Sequence, residues 1–390
     1  MNRSLTAAAC AALAVALTAV LPAAPAGAAI EVFRDGAKYV AVGGRIQLQY
    51  HAFEPDGGES EDELFFRRLR PEVEAGVTED WTGKIQLEIG GASGSNEVAV
   101  KDAYFRYGGF EAVKVTIGNQ KPPFSREFLT SSKEQQLVER TFVGDHNYGS
   151  PDRMLGVRVD GEALGERLTW AGSFGSASVD PDARRLDFDT PVNRDDDFNE
   201  GWLSAGRVEL HPFGYAKNSQ GDLGHGPLRL ALAAAAFTWS NDGDNDTYTA
   251  GGVSTSASKA DVDEATGFEL SAGVRGFGFS ADAQYDLVEA DTVDHGFDGG
   301  LWVDGSTELE QLALEGGYML LPNRLELVGG WQSQDADGYA DAWTRTSVGL
   351  NYFVDGYKLK GQLTYRMGEN LDGVPGNDAD ELFLQLQYVF

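Results

Sequence analysis

Basic residues recur on one side of segments in which polar and apolar residues alternate. Arg68 and Arg70 share a side of the second such segment, and Lys84, Lys114 and Arg158 hold similar positions on later ones. Arg and Lys side chains that converge on a narrow, partly desolvated passage attract anions. The same cations could instead form ion pairs with carboxylates on these segments, as in any polar channel. Both interpretations place the charged side chains on one polar interior surface.

Residues suited to covalent or acid–base catalysis are few and scattered. The five histidines share no local context, and only His146 lies near a segment of special interest. A protease or lipase site needs a histidine paired with a serine or a carboxylate. The glycine cluster at 90–94 lacks the Gly-Lys-Ser/Thr that completes a phosphate-binding loop. We therefore expect no enzyme and no cofactor.

A stretch of five residues, Asp242–Asp246, resembles the start of a calcium-binding loop. Such a loop needs Gly at its sixth place, where Thr247 stands, and Glu at its twelfth, where Val253 stands. We therefore expect no metal site. Acidic residues are dense in the connections between the alternating segments. A solvated surface is the simpler interpretation of them, and divalent-ion bridging to anionic lipid head groups is the alternative.

The charge balance excludes one class of partner. The 390 residues include 31 Lys and Arg against 61 Asp and Glu, which gives a formal net charge of −30. A chain this acidic lacks the basic face that nucleic-acid phosphates require, so we expect no nucleic-acid partner. Because the acids concentrate in connections and the bases on alternating segments, the net charge does not describe the interior.

Residues 1–28 have the features of a secretory signal peptide. A cationic start is followed by an apolar run and by the small residues Ala26, Gly27 and Ala28, which form a cleavage site. A membrane anchor is the alternative, but the apolar run is short and is broken by Pro22 and Pro25. The only cysteine lies in this leader, so the exported chain has no disulfide or thiolate site.

The remaining residues, 29–390, predict a single β-barrel domain. No apolar run of about 18 residues remains, whereas alternating segments separated by turns are typical of barrels in the outer membrane. We count sixteen such segments, and short and long connections alternate between them. A soluble sandwich also shows alternating strands but not this pattern of connections. One short-side connection, His211–Pro227, is longer than the rule requires.

A barrel of sixteen strands holds an aqueous channel, because side chains cannot fill its interior. The longest connection, 119–152, lacks the Asp and Gly of the other long loops. It contains Phe124, Phe128 and Leu129 together with the cations Lys121, Arg126 and Lys133. Apolar residues of this kind need shelter, and in a barrel the lumen provides it. We therefore expect this third long loop to fold inward and narrow the channel.

Three stretches resemble, in order and spacing, the phosphate-selective porin O/P family. They are Phe66–Arg70, Val100–Tyr107, and Gly118–Ser125 with the Leu129–Ser132 and Glu139–Arg140 that follow it. The resemblance implies a trimeric, sixteen-stranded antiparallel transmembrane β-barrel with short periplasmic turns, long extracellular loops and an inward-folded third loop. It also implies that paired arginines of the second strand correspond to Arg67 and Arg68, and that the constriction-loop lysine corresponds to Lys121.

The sequence departs from that family in two respects. Strict alternation places Arg67 and Arg68 on opposite faces of a strand, so both can face the lumen only at a bulge or a strand end. The later strands are also poor in cations, since Lys259 and Arg275 are the only basic residues between Leu230 and Arg324. Both departures concern the cations of the lumen, which the resemblance links to phosphate selectivity, and not the strand pattern of the barrel.

We expect an outer-membrane diffusion porin that passes small anions such as phosphate. The alternatives are a non-selective or cation-passing porin and a non-conducting surface or adhesion barrel. The expected partners are small anionic solutes, outer-membrane lipid and lipopolysaccharide, the barrel-assembly machinery through Phe390, and two further copies of the chain in a homotrimer. The residues expected to line the pore and bind anions are Arg67, Arg68, Arg70, Lys84, Lys114, Lys121, Arg126, Lys133 and Arg158.

Overall fold

The computed structural model describes residues 29–90, 98–193, 199–243 and 261–390. The signal-peptide prediction for residues 1–28 and most of the calcium-loop-like stretch lie outside these residues. Strands dominate the described part of the chain. Their bounds are β1 Ile30–Asp35, β2 Lys38–Pro55, β3 Glu61–Gly76, β4 Trp81–Glu88, β5 Ala99–Tyr107, β6 Val113–Gln120, β7 Met154–Ala163, β8 Leu168–Asp180, β9 Asp187–Asp189, β10 Glu200–Leu210, β11 Arg229–Asn241, β12 Val262–Gly276, β13 Phe279–Thr292, β14 Ser306–Leu321, β15 Leu325–Ala336, β16 Trp343–Asp355, β17 Leu359–Glu369 and β18 Ala379–Val389.

Sixteen of these strands form a closed antiparallel barrel, which confirms the predicted fold class. Neighbours in sequence pair around the wall, β8 pairs with β10, and β18 closes the ring on β2. The two remaining strands are additions to the wall. Strand β1 forms a hairpin with the start of β2, and β9 pairs with the end of β8. Within the described residues, no helix is long and apolar enough to cross a membrane.

Alternation along each strand separates a lumen face from a lipid face. On β17, Lys360 and Gln362 are buried while Tyr365 and Met367 are exposed. Polar side chains are buried because they point into the barrel, whereas the exposed apolar ones meet the hydrocarbon of the bilayer. The arrangement inverts that of a soluble protein, and it explains why large apolar side chains remain uncovered on most strands.

Short and long connections alternate around the barrel, as the sequence predicts. The short ones gather at one end, which we call the short-turn rim, and the long ones at the other, the long-loop rim. The exception is the connection 211–228 at the short-turn rim, which we call the long turn. In outer-membrane barrels the short turns face the periplasm and the long loops face outward.

The connection 121–153 folds into the lumen, and we call it the constriction loop. It contains a four-residue helix, α1 Arg126–Leu129, whose first turn is capped by the Ser125 hydroxyl, which accepts a hydrogen bond from the Phe128 amide. Phe124 is fully buried and packs edge-on against Phe237 of β11, with ring centroids 4.8 Å apart. The apolar residues of this loop are thus buried in the lumen, as the sequence predicts.

The constriction loop divides the interior into two sides. Along β10–β15 the lumen is filled, because the long loops 181–199 and 293–305 bring Leu186, Phe188, Leu301 and Trp302 onto the apolar residues of the wall. We call this the packed side. Along β3–β8 a series of cavities remains, and we call this the open side. The candidate functional site lies there.

Candidate functional site

Three cavities follow one another down the open side. The upper cavity, of about 530 Å³, begins at the long-loop rim near His146. The middle cavity, of about 450 Å³, shares Asp102, Lys121 and Leu129 with it. The lower cavity, of about 440 Å³, shares Arg158 with the middle one and opens among the turns of the short-turn rim. Together they trace a passage from one rim to the other.

The upper cavity is strongly basic. Ten of its lining side chains are Lys or Arg and four are Asp or Glu. The basic residues that line it are Arg45, Arg67, Arg68, Arg70, Lys84, Lys101, Lys121, Lys133, Arg140 and Arg153. Six of them belong to the set expected from the sequence. Arg45, Lys101, Arg140 and Arg153 were not in that set.

Two β-bulges increase the number of charges on this wall. Where β3 pairs with β2, Gln47 faces Arg68 and Leu48 faces Phe66, so Arg67 is the extra residue of a bulge. A bulge breaks the alternation, which lets both Arg67 and Arg68 face the lumen. Strand β5 contains the second bulge, at Lys101, which lies between the paired residues Val100 and Asp102. Each bulge adds one inward cation to a strand.

Half of these cations are neutralised by carboxylates. Arg67 holds Glu139 of the constriction loop with two hydrogen bonds of 2.7 and 3.0 Å. Although burial opposes it, this guanidinium lowers the pKa of Glu139 to about 2. Arg70 binds Glu88, and Lys84 lies 3.0 Å from Glu72. Arg153 lies between Asp102 and Asp152, at 3.0 and 2.6 Å, and Lys101 lies 3.4 Å from Asp152.

The other five have no carboxylate partner among the described residues. They are Arg45, Arg68, Lys121, Lys133 and Arg140. Arg68 is only 5% exposed, and its guanidinium donates a hydrogen bond of 3.0 Å to the neutral amide of Gln47. Of the carboxylates that line the cavity, Asp145 alone lacks a basic partner within the described part of the chain. The cavity therefore carries an excess of positive charge.

Lys121 lies where the upper and middle cavities meet. Its ammonium donates to the backbone carbonyl of Phe128 and lies 4.2 Å from the centre of the Phe128 ring. Burial, with the nearby Arg140 and Arg153 charges, lowers the pKa of Lys121 well below its usual range. An anion in the passage would oppose this effect and stabilise the protonated ammonium. Arg140 supports the same ring from 5.3 Å and donates 2.8 Å to the carbonyl of Thr130.

Arg158 and Lys114 line the middle and lower cavities. Arg158 is paired with Asp160 at 2.5 Å and donates 3.0 Å to the backbone carbonyl of Lys121. It thereby fixes the start of the constriction loop. Lys114 is exposed on β6 and faces the same space.

Arg126 is the member of the expected set that the structure places elsewhere. It lies on the packed side, 3% exposed, between Glu209 at 3.4 Å and Asp282 at 3.0 Å. Its backbone amide donates to Glu269 at 3.1 Å. These contacts attach helix α1 to the wall opposite the passage, so the structure gives Arg126 the position of an anchor.

The long turn also enters the lumen, which the sequence did not predict. The Gln220 side chain accepts from the Gln136 amide at 2.7 Å and donates to Glu315 at 2.7 Å. The Lys217 ammonium lies 2.5 Å from Glu134 of the constriction loop. This contact joins the long turn to the constriction loop. The excess length of 211–227 was the one signal available in the sequence.

Comparison with known proteins agrees with this geometry. Residues 40–206 match the family described as phosphate-selective porin O and P. The matched segment, which runs from β2 into β10, is similar to these porins. Porin O of Pseudomonas aeruginosa is 26% identical over 403 residues, which cover 90% of this chain and 88% of that protein. The chain is accordingly a porin of the bacterial outer membrane.

Solved outer-membrane porins share the fold. The trimer form of OmpT from Vibrio cholerae, folded in vitro, is 14% identical, with a TM-score of 0.56 over 91% of this chain and 100% of that chain. The anion-selective porin from Comamonas acidovorans is 12% identical, with a TM-score of 0.59 over 90% of this chain and 100% of that chain. At such identities the likeness concerns the fold alone.

Proposed function

We propose that this porin passes small inorganic anions, with phosphate as the preferred class, through the passage on the open side. The observation that carries the proposal is the group of five cations that line the upper cavity and have no carboxylate partner within the described residues. A positive group in a narrow, weakly solvated passage raises the local concentration of anions and lowers that of cations. The match of residues 40–206 to phosphate-selective porins supports the same direction.

The five cations are suited to an oxyanion. Arg68 presents a planar guanidinium, which can form two parallel hydrogen bonds to a phosphate, whereas Lys121 and Lys133 act as point charges. The neighbouring ion pairs hold the walls in place and leave these donors available. Nothing in this arrangement requires a cofactor, because a concentration gradient and the field of the lumen are sufficient for diffusion.

The test is ion selectivity of the refolded mature protein in a planar bilayer. The reversal potential under a KCl gradient should show anion preference, and added phosphate should block the chloride current. Both effects should weaken in Lys121→Ala and in Arg68→Ala. A matched control is Lys38→Ala, since Lys38 is exposed at the start of β2 and lies outside the cavities. Cation preference in the wild type would overturn the proposal.

Short strands on the open side make the barrel wall low there, and this low wall supports a homotrimer. Strands β4 and β6 have eight residues each. Eight residues tilted by about 45° span about 19 Å, less than the apolar band of about 25 Å. Trp81, Phe105 and Phe110 are exposed beside this low wall, and neighbouring copies would cover them. Trp81→Arg with Phe105→Arg should give monomers in native mass spectrometry, whereas Trp331→Arg on the packed side should leave trimers intact.

The C-terminus supports recognition by the assembly machinery of the outer membrane. The Phe390 backbone pairs with Gly44 through hydrogen bonds of 2.9 and 3.1 Å, which places the last residue at the seam where the barrel closes. Deletion of Phe390 should therefore slow insertion in cells more than refolding in detergent. The acidic long loops are suited to divalent-ion bridging with lipopolysaccharide, which a chelator would disrupt.

A further inference from the structure

The charge of the passage reverses between its two ends. In the upper cavity, five cations have no carboxylate partner in the part of the chain that the structure describes. In the lower cavity Glu111, Glu162 and Glu166 are exposed and form no ion pair within the described residues. Lys114 is the one cation lining that cavity that is similarly unpaired in the described part of the chain.

The remaining charges of the lower cavity cancel in pairs. Arg158 is bound to Asp160 at 2.5 Å, and Arg207 is bound to Glu209 at 3.1 Å and to Glu269 at 2.7 Å. These pairs leave the three glutamates in excess over Lys114. The carboxylates belong to two different turns, 108–112 and 164–167, and to the ends of the strands beside them, so they surround the opening from more than one side.

The unpaired charges of the two zones line different cavities. Glu111, Glu162 and Glu166 line the lower cavity alone, and none of the five upper cations lines it, although all three cavities meet at Leu129. The Debye length is about 10 Å in 0.1 M salt and about 3 Å in 1 M salt. In dilute salt each zone therefore holds its own counter-ions, anions above and cations below.

We propose that the passage is bipolar and rectifies ionic current, with an anion-filled outer zone joined to a cation-filled periplasmic exit. The inference rests on the proposed anion conduction and adds an electrical direction to it. When the periplasmic side is positive, anions from the outer zone and cations from the exit both move toward the middle cavity. Ions accumulate there and the conductance rises. With the opposite polarity both kinds of ion leave the middle cavity and the conductance falls.

The current–voltage curve of a single trimer in symmetric KCl tests this inference. We expect currents that differ by about twofold between about +100 and −100 mV in about 0.1 M KCl, and equal currents in about 1 M KCl. The larger current should appear with the short-turn rim positive. Orientation is established with Glu59→Cys in a long loop, labelled from one compartment with an impermeant maleimide, because the mature chain has no other cysteine.

The decisive variant is Glu111→Gln, Glu162→Gln and Glu166→Gln together. It should abolish rectification and leave the anion preference of the reversal potential in place. A matched control is Glu79→Gln with Asp80→Asn, on a turn of the same rim outside the passage, and it should rectify as the wild type does. A linear curve in dilute salt, or rectification that survives the triple variant, overturns the inference alone if anion preference is seen. Absence of anion preference overturns the proposed function, and the inference with it.

Discussion

The cations on the open side and on the packed side of the barrel interior differ in whether they are paired with carboxylates. On the packed side, Arg126 lies between Glu209 and Asp282 and is almost fully buried. On the open side, Arg68 and Lys121 face a cavity and lack such partners within the described residues. A buried charge is tolerated only when it is paired and hydrogen-bonded. An unpaired one persists beside water or a soluble anion, which agrees with the passage proposed on the open side.

The comparison also explains why the net charge is a poor guide. On the packed side many carboxylates form ion pairs and hydrogen bonds. The other carboxylates lie in loops, where they are exposed to solvent. A small subset of the charged residues lines the passage, and in the upper cavity this subset is mainly basic. The field on a permeating ion comes from these local groups, since more distant charges are screened.

The largest expected difference between the two sides concerns stability. Arg126→Met should lower the free energy of unfolding by about 3–5 kcal/mol, because it leaves the three largely buried carboxylates of Glu209, Glu269 and Asp282 with two guanidiniums, those of Arg207 and Arg275. Arg68→Met removes a cation that has no carboxylate partner in the described structure, so it should cost less than about 1 kcal/mol. Urea unfolding in detergent measures both. Equal losses would show that the two arginines are not held differently.

Selectivity should respond in the opposite order. Lys133→Glu places a carboxylate in the upper cavity and should lower the anion-to-cation permeability ratio by about fivefold, the factor expected for about 1 kcal/mol between close charges in water. Arg275→Gln on the packed side should leave the ratio unchanged, because Asp282 at 2.5 Å neutralises Arg275 away from the passage. Reversal potentials in a KCl gradient provide the measurement. A shift in Arg275→Gln as large as in Lys133→Glu would contradict the division.

A smaller, pH-dependent effect is expected where the constriction loop meets the loop 181–199. Burial opposes protonation of His146, but its hydrogen bond of 2.9 Å to Asp187 and the charges of Asp152, Asp145 and Asp187 together outweigh burial and raise the pKa of His146 to about 9. A raised pKa stabilises the fold fully below the unfolded value of 6.5, and this stability is lost as the pH rises through about 9. Because the His146 side chain is 35% exposed, the change should be at most about 1 kcal/mol.

Unfolding in urea at a series of pH values checks this expectation. The wild type should lose stability between about pH 6.5 and 9. Asp187→Asn should flatten that part of the profile, since the neutral amide no longer favours the charged imidazolium. A wild-type profile without a slope in this range would contradict the assignment.

The smallest effect is expected at the tip of the long turn. Lys217→Met removes an ion pair with Glu134 in which the lysine side chain is 65% exposed, and it should cost no more than about 1 kcal/mol. Gln220→Ala should cost more, because Gln220 is buried and joins the long turn to Gln136 and Glu315. The difference in urea midpoint between the two variants is the measurement. A larger loss in Lys217→Met would mean that the exposed pair holds the turn.

The strands of the barrel wall could be predicted from the sequence, because the alternation of polar and apolar residues is a local signal. The sixteen alternating segments counted in the sequence agree in number with the sixteen barrel strands, since one face of each strand meets lipid along its whole length. The bulge at Arg67 is a different case, because one extra residue leaves no compositional mark and only its pairing with β2 reveals it. The sequence stated the condition for both arginines to face the lumen, and the register satisfies it.

The positions of side chains in the interior were harder to predict, because a loop that enters the lumen can pack against either of two walls. Arg126 and Lys121 lie five residues apart in one basic, aromatic segment, yet helix α1 turns Arg126 toward β10 and β13 while Lys121 stays at the passage. That choice depends on carboxylates more than 80 residues away in sequence. The inward path of the long turn depends on similar distant partners, and only its length indicated that it was unusual.

The bulges at Arg67 and Lys101 make the content of the passage sensitive to residue number as well as residue type. Removing one residue at a bulge restores an uninterrupted ladder and deletes one inward cation, while the paired residues on either side keep their faces. A single-codon deletion or insertion at these two places therefore changes the charge of the lumen without changing strand order or closure. Related barrels could in this way acquire different solute preferences by small length changes in β3 and β5, with the lipid-facing surface left intact.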